Sequence, residues 1–147
     1  MKEEIENYLT AIGVTTTSIK QKIDYFIKIC HLICQEEIID IFIDDYLTED
    51  GTKKYSGITL FTKNFILGAE NFLDKDEIYC ARSDNKICYL SIDMKDYDFC
   101  KATEKSRINI QIYRETGGEG FYKASKENCD YLRDIYFKYI LPRVIKK

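Results

Sequence analysis

Clusters of carboxylate side chains are the residues of this sequence with the clearest chemical potential. They fall into three groups: Asp44 with Asp45; Asp74 with Asp76 and Glu77; and Asp93 with Asp96 and Asp98. Paired carboxylates can act as general acid and base or bind Mg²⁺. Residues two apart on a strand face the same side, so Asp96 and Asp98 converge if their segment is extended. Acidic residues also cluster on ordinary solvated surfaces, and we favour that simpler interpretation.

Cysteine and histidine are the other residue types that could support metal or redox chemistry. They are Cys30, Cys34, Cys80, Cys88, Cys100, Cys129 and the single His31. The sequence contains no Cys-x-x-Cys pair, and on a helix His31 lies about 100° around from Cys30, pointing away from Cys30 and Cys34. It also lacks a phosphate-binding loop, a His-Glu-x-x-His motif and a nucleophile elbow. We therefore expect no metal, no cofactor and no catalytic residues, in a protein that is not an enzyme.

The first 35 residues show the periodicity of two helices. A short apolar pattern over residues 2–11 is interrupted by Gly13, and a longer amphipathic helix is predicted from Ile19 to Cys34. The apolar stripe of the longer helix consists of Ile23, Phe26, Ile27, Cys30, Ile33 and Cys34. This stripe must pack on a sheet or on a second copy of itself. We assign residues 1–35 to an N-terminal helical extension and residues 36–147 to a second domain.

Seven short strands are predicted in the second domain, because its apolar runs are rich in β-branched and aromatic residues. Their approximate ranges are 38–47, 55–62, 64–69, 86–94, 97–102, 107–113 and 120–124. Two hairpins are expected, one turning at Lys63-Asn64 and one at Gly117-Gly118, with an elaborated loop over residues 70–85. A final helix is predicted to begin with Ser125 as its N-cap and to end or kink at Pro142.

Two segments resemble bacterial pleckstrin-homology-like (PH-like) domains. The run Gly57-Ile-Thr-Leu-Phe-Thr-Lys-Asn-Phe-Ile-Leu-Gly is similar to a family hairpin that reads Gly, apolar strand, Thr, two-residue polar turn and second apolar strand. The run from Ile92 to Cys100 resembles the family segment Ile-Pro-Leu-Ser-Asp-Ile, with Asp93 in place of the frequent proline. The resemblance covers residues 38 to about 141. It implies an α+β fold, a seven-stranded antiparallel PH-like barrel or orthogonal sandwich with a C-terminal capping helix, preceded here by the helical extension.

Composition narrows the class of partner. The 22 basic and 25 acidic residues give a net charge of −3 at pH 7, which does not favour nucleic acid or an anionic bilayer. No apolar run follows the start Met1-Lys-Glu-Glu, so we expect no secretory signal and a cytoplasmic location.

These observations predict a non-catalytic PH-like interaction module that binds a protein or peptide through strand edges or a helix groove. Homo-oligomerisation through the N-terminal helices is a second expectation, and we expect no nucleic-acid partner. The candidate contact residues are Lys53, Lys54, Lys63, Tyr131 and Phe137. Two alternatives remain open. One is a lipid- or small-ligand-binding PH-like domain, with membrane lipid the less favoured partner, and the other is a small acidic immunity or antitoxin-type protein.

Overall fold

The chain forms helices and antiparallel strands in a computed structural model that describes residues 2–69, 81–83, 86–115 and 117–145. Two helices come first, α1 (Glu3–Ala11) and α2 (Thr17–Cys34). The strands are β1 (Asp40–Leu47), β2 (Lys53–Phe61), β3 (Ile66–Ala69), β4 (Ala81–Ser83), β5 (Ile87–Lys95), β6 (Arg107–Arg114) and β7 (Glu119–Ser125). The third helix, α3 (Asn128–Ile135), continues into a π-helical turn (Tyr136–Ile140) and a 3₁₀ turn (Leu141–Arg143).

The strands belong to two separate antiparallel sheets. The first has the order β1-β2-β3 and is extended beside β3 by the three-residue β4, and the second has the order β5-β6-β7. The α+β class is correct, but the prediction of a seven-stranded barrel or orthogonal sandwich is wrong. Within the described ranges no ladder closes the two sheets into a barrel, and only six of the seven predicted strands form.

The predicted strand over residues 97–102 is an irregular loop. Asp96 and Phe99 adopt left-handed backbone conformations, with φ of 52° and 65°, which a strand cannot contain. The side chain of Asp98 accepts the Cys100 N–H at 3.0 Å, and Ala102 N–H donates to the carboxylate of Asp130 at 3.0 Å. Side chains therefore bind the amides that a strand would use in a ladder.

The chain divides into two compact units, of which the first contains residues 1–43 and 55–84. Both predicted N-terminal helices are confirmed and belong to this unit. The Ile43 N–H donates to the Tyr8 hydroxyl at 2.9 Å, and the Tyr55 hydroxyl donates to the Ile12 carbonyl at 2.6 Å. These two bonds attach α1 to β1 and β2. The predicted boundary after residue 35 stays a prediction.

The second unit contains residues 44–54 and 85–147. Ile108, Ile110 and Ile112 alternate along β6 and are buried, as the period of two on a strand requires. Leu132 and Ile135 are buried on α3, which contacts β7. Helix and sheet therefore share one apolar core within this unit.

The start of the last helix differs from the prediction. Ser125 is the last residue of β7 and does not cap a helix, because its hydroxyl donates to the buried carboxylate of Asp45 at 2.9 Å. Lys126 then takes a left-handed φ of 51°, and α3 begins at Asn128. The predicted stop is confirmed, since helical backbone ends at Arg143, next to Pro142, and Val144 is extended. No helix in the described ranges is both long enough and apolar enough to cross a membrane.

Candidate functional site

Lys53, a predicted contact residue, is held in an ion-pair network inside the second unit. Its ammonium lies 3.1 Å from the carboxylate of Asp45 and 2.8 Å from that of Glu127, and its side chain is only 16% exposed. Burial lowers the pKa of Lys53, but the hydrogen bonds and charges of Glu127 and Asp45 outweigh burial, so the pKa is raised overall. Lys53 is therefore a structural cation rather than a free contact group.

Asp45 is the centre of this network. Its carboxylate accepts the Ser125 N–H at 2.7 Å, the Ser125 hydroxyl at 2.9 Å and the Asn128 side-chain amide at 3.3 Å. Burial raises the pKa of Asp45, while Lys53 and Ser125 act in the opposite direction. Asp45, Ser125 and Asn128 are all buried, so this arrangement connects β1, β7 and α3 and offers no surface to a substrate.

The other two predicted lysines are exposed. Lys54 borders an open concavity whose other lining residues are Thr48, Glu49, Asp50 and Thr52. Lys63 is in the turn between β2 and β3. Hydrogen bonds from Thr62 and Asn64 lower the pKa of Glu36, and the positive charge of Lys63 adds to this effect. Lys54 and Lys63 thus lie beside acidic groups, and Lys53 is engaged in ion pairs.

The carboxylate clusters do not assemble into a catalytic arrangement in the described ranges. Asp93, Asp96 and Asp98 are exposed, and Asp98 binds the backbone of its own turn. The cluster at residues 74–77 lies outside the described residues. Among the residues that the structure describes, no three His, Cys, Asp or Glu side chains are grouped to hold a metal ion.

The cysteine and histidine side chains of α2 differ in burial. Cys30 and Cys34 are buried, whereas His31 is exposed and its Nδ1 lies 2.9 Å from the Glu36 carbonyl oxygen. Cys129 is also buried, and burial raises the pKa of its thiol to about 12. Cys80 lies outside the described residues.

Four aromatic side chains cluster where the loop after β5 meets the helical segment after α3. Phe99 lies between Tyr97 and Phe137, with ring centroids 5.8 Å and 6.0 Å away, and also stacks on Tyr136 at 6.0 Å. Phe137, a predicted contact residue, is 52% exposed. Tyr131, the other predicted aromatic contact, is half-buried on α3. The cluster therefore presents one strongly exposed ring on a packed aromatic base.

Asp130 fixes the loop that carries Tyr97 and Phe99. It accepts the Tyr97 hydroxyl at 2.8 Å in addition to the Ala102 N–H. Burial and the Asp130 carboxylate raise the pKa of Tyr97 well above its ordinary value, so this hydroxyl stays a donor. Arg133 donates to the Cys100 carbonyl at 2.6 Å. These bonds at Tyr97, Cys100 and Ala102 hold the loop on either side of Phe99, whose backbone is left-handed.

β5 is an edge strand of the second sheet. It pairs with β6 at Ile87 and over residues 89–95, with a bulge at Cys88 between them. Among the described residues its other edge is occupied only near Ile87, where Val144 forms a parallel bridge. The Ile145 N–H donates to the Ile87 carbonyl at 2.8 Å. Residues 89–95 therefore present a strand edge that begins just after this bulge, two residues from the point where extended backbone is bound.

The β5 edge and the aromatic cluster are linked through the chain. Lys95 ends β5 shortly before Phe99, whose ring stacks on Tyr136 of the helical segment after α3. That segment leads on to Val144 beside Ile87. Of the predicted residues, only Phe137 belongs to this candidate site. Sequence reasoning missed Phe99 because apolar and polar residues alternate over residues 97–102, a pattern that predicts a strand.

A scan against protein-family models, a search of curated proteins and a search of solved structures found no match to this chain. The resemblance to PH-like domains therefore stays a prediction from the two sequence segments.

Proposed function

We propose that this chain is a non-catalytic interaction module that binds an extended segment of a partner protein along the outer edge of β5. Strand addition of this kind supplies main-chain hydrogen bonds for affinity and side-chain pockets for selectivity. We further propose that it acts in the cytoplasm.

One observation carries the proposal. The edge of β5 already binds extended backbone at its first residue, through the Ile145 N–H and the Ile87 carbonyl. Beyond that point, residues 89–95 have no second strand neighbour among the described residues. An edge with unpaired N–H and C=O groups is a template for another strand.

The side chains of β5 indicate which segment would fit. Leu90, Ile92 and Met94 share one face of the strand, and their partners across the ladder on β6 are fully buried isoleucines. Leu90 and Ile92 are only half-buried, however, and Met94 is 39% exposed. A partner strand with apolar residues at alternate positions would cover this face, because side chains alternate along a strand. Exposed Phe137 offers an apolar contact beyond the Lys95 end.

Selection of peptides from a random displayed library against the immobilised chain tests the proposal. We expect the enriched peptides to alternate apolar and polar residues, as a bound extended strand requires. Fluorescence anisotropy measures their dissociation constants. Met94→Glu and Phe137→Ser should each weaken binding at least about 10-fold. Phe121→Glu is the matched control, because Phe121 is equally exposed on β7 but lies away from the β5 edge.

Three outcomes would contradict the proposal: no enriched peptide, enriched peptides that bind Met94→Glu as well as the unsubstituted chain, or equal losses for Phe121→Glu. Vesicles that contain phosphoinositides serve as the competing probe. Binding to those vesicles without any peptide binding would replace the proposal with the lipid-binding alternative.

A further inference from the structure

The outer edge of β5 is regular only between two interruptions. A bulge at Cys88 separates Ile87 from Tyr89, and Asp96, just after the strand, has a left-handed φ of 52°. A bulge disrupts strand pairing, and left-handed backbone cannot lie in a strand. An added strand can therefore pair regularly with residues 89–95 and no further in either direction.

Alternate residues of β5 direct their main-chain N–H and C=O groups to this outer edge. On β6, the Arg114 N–H points to the β7 side, where it donates to the Gly118 carbonyl at 3.1 Å. Ile112, two residues earlier, has the same orientation, because successive residues of an antiparallel strand point alternately to its two neighbours. Its partner Leu90 therefore points away from β6. By the same alternation, the residues that point to the outer edge are Leu90, Ile92 and Met94.

β5 itself has the residue pattern that its edge requires of a partner strand. Leu90, Ile92 and Met94 alternate with polar or amphipathic side chains. In an antiparallel pairing of two copies centred on Ile92, each Ile92 lies opposite the other, and Leu90 lies opposite Met94. The residues whose main-chain groups point outwards then face each other, so each of these pairs exchanges two backbone hydrogen bonds.

The side chains on the other face of β5 match in the same register. Ser91 lies opposite Asp93 of the second copy, so that a hydroxyl meets a carboxylate. Tyr89 lies opposite Lys95, so that an aromatic ring meets an ammonium group. All four side chains are exposed and available for such contacts, and Tyr89 is 59% exposed.

Neighbouring registers that keep the apolar residues on one face fit less well. Centring the pair on Asp93 sets the two Asp93 carboxylates directly opposite each other, which destabilises a sheet. Centring it on Ser91 sets Met94 opposite the bulge of the second copy. The register centred on Ile92 avoids both problems and uses the whole of residues 89–95.

We propose that two copies of this chain pair through their β5 edges, antiparallel and centred on Ile92, so that their second sheets form one continuous sheet. This inference rests on the proposed function, because it names a second copy as the partner that adds a strand to β5. A contact that uses the same edge of both copies is closed, so assembly stops at a dimer. A bound peptide and a second copy compete for the same edge.

Sedimentation velocity of the full chain over a range of concentrations tests for the dimer. We expect a monomer–dimer equilibrium, and Met94→Glu should raise the dissociation constant at least about 10-fold, because it places a carboxylate opposite Leu90 twice in each dimer. The matched control Phe121→Glu adds the same charge at an exposed apolar residue of β7 and should leave the equilibrium unchanged. Circular dichroism checks that both variants fold.

Disulfide cross-linking tests the register. Ser91 and Asp93 of the second copy form a non-hydrogen-bonded pair, whose Cα atoms are about 4.5 Å apart, within the range that a disulfide spans. The background chain carries Cys88→Ser and Cys100→Ser, which remove the exposed cysteines of the described residues. A mixture of Ser91→Cys and Asp93→Cys chains should form disulfide-linked dimers on mild oxidation, whereas either chain alone should form no more than the background chain.

Three outcomes overturn this inference: a chain that stays monomeric at millimolar concentration, a dimer that Met94→Glu does not weaken, or a mixture that cross-links no better than either chain alone. A monomeric chain that still binds selected peptides, with the loss expected for Met94→Glu, overturns the second copy as partner and leaves the proposed function standing. Absence of both the dimer and peptide binding overturns both proposals.

Discussion

Replacing Asp45 by alanine is the most direct test of how the second unit is held together. The carboxylate of Asp45 is fully buried and accepts hydrogen bonds from Ser125 and Asn128, with the Lys53 ammonium 3.1 Å away. Asp45→Ala removes both carboxylate oxygens at once. The Ser125 N–H and hydroxyl then lose this acceptor in the protein interior.

The size of the effect follows from those contacts. A buried donor left without a partner costs about 1–3 kcal/mol, and the Ser125 backbone N–H cannot rotate to find another acceptor. Lys53 keeps its ion pair with Glu127, so its charge is not stranded completely. We therefore expect Asp45→Ala to lower the free energy of unfolding by about 3–5 kcal/mol, as for a broken buried ion pair.

Two further substitutions separate charge from hydrogen bonding. Asp45→Asn keeps one oxygen for Ser125 but directs an amide at Lys53 and Asn128, so its loss should be smaller than that of Asp45→Ala. Combining Asp45→Asn with Lys53→Met removes both buried charges, and the double variant should lose less than the sum of the single losses. Asp93→Ala is the control, since this exposed carboxylate should change stability by less than about 0.5 kcal/mol.

Urea denaturation followed by circular dichroism at pH 7 measures all of these free energies. A loss below about 1 kcal/mol for Asp45→Ala would refute the reasoning, because it would mean that Ser125 and Asn128 do not depend on this carboxylate.

Three other substitutions test separate features. Burial raises the pKa of Tyr122 to about 12 from an ordinary 10, so its stabilising contribution is complete below pH 10 and is lost as the pH rises towards 12. Unfolding measured across that range should depend less on pH in Tyr122→Phe than in the unsubstituted chain. Gly13→Ala should lower the free energy of unfolding by about 1–3 kcal/mol, because φ is +89° and the new methyl would lie 3.0 Å from the Tyr55 hydroxyl oxygen. Gly51→Ala, at φ +85° with no atom near the new methyl, measures the contribution of backbone strain alone. Tyr97→Phe should cost about 1 kcal/mol by equilibrium unfolding and speed proteolysis of the loop after β5, since the bond to Asp130 is lost.

Elements with a regular local pattern could be predicted from the sequence. The period of α2 and the two hairpins β2–β3 and β6–β7 depend on residues close together in the chain, and all of them form. In these elements, the same residues that set the backbone conformation also form the core.

Contacts between distant residues explain the failures. The alternation of residues 97–102 predicts a strand, but Asp130, 28 residues after Ala102, accepts the Ala102 N–H. Ser125 has the chemistry of a helix cap, yet Asp45, 80 residues earlier, uses both its N–H and its hydroxyl. The sequence pattern also places Ile33 on the packed stripe of α2, yet Ile33 is 43% exposed, since a periodic pattern cannot state which of two apolar faces a tertiary neighbour will cover.

The two edges of the second sheet differ in how their backbone N–H groups are hydrogen-bonded, and this difference affects where a partner strand can add. At the β7 edge, the Lys123 N–H donates to the Asp44 carboxylate at 2.9 Å and the Ser125 N–H donates to Asp45 at 2.7 Å. Side-chain carboxylates therefore occupy donors that would otherwise pair with an incoming strand. Over residues 89–95 of β5, the described residues supply no comparable partner. Because strand addition needs free main-chain groups, a partner segment that distinguishes the two edges should add to β5, as the proposed function requires.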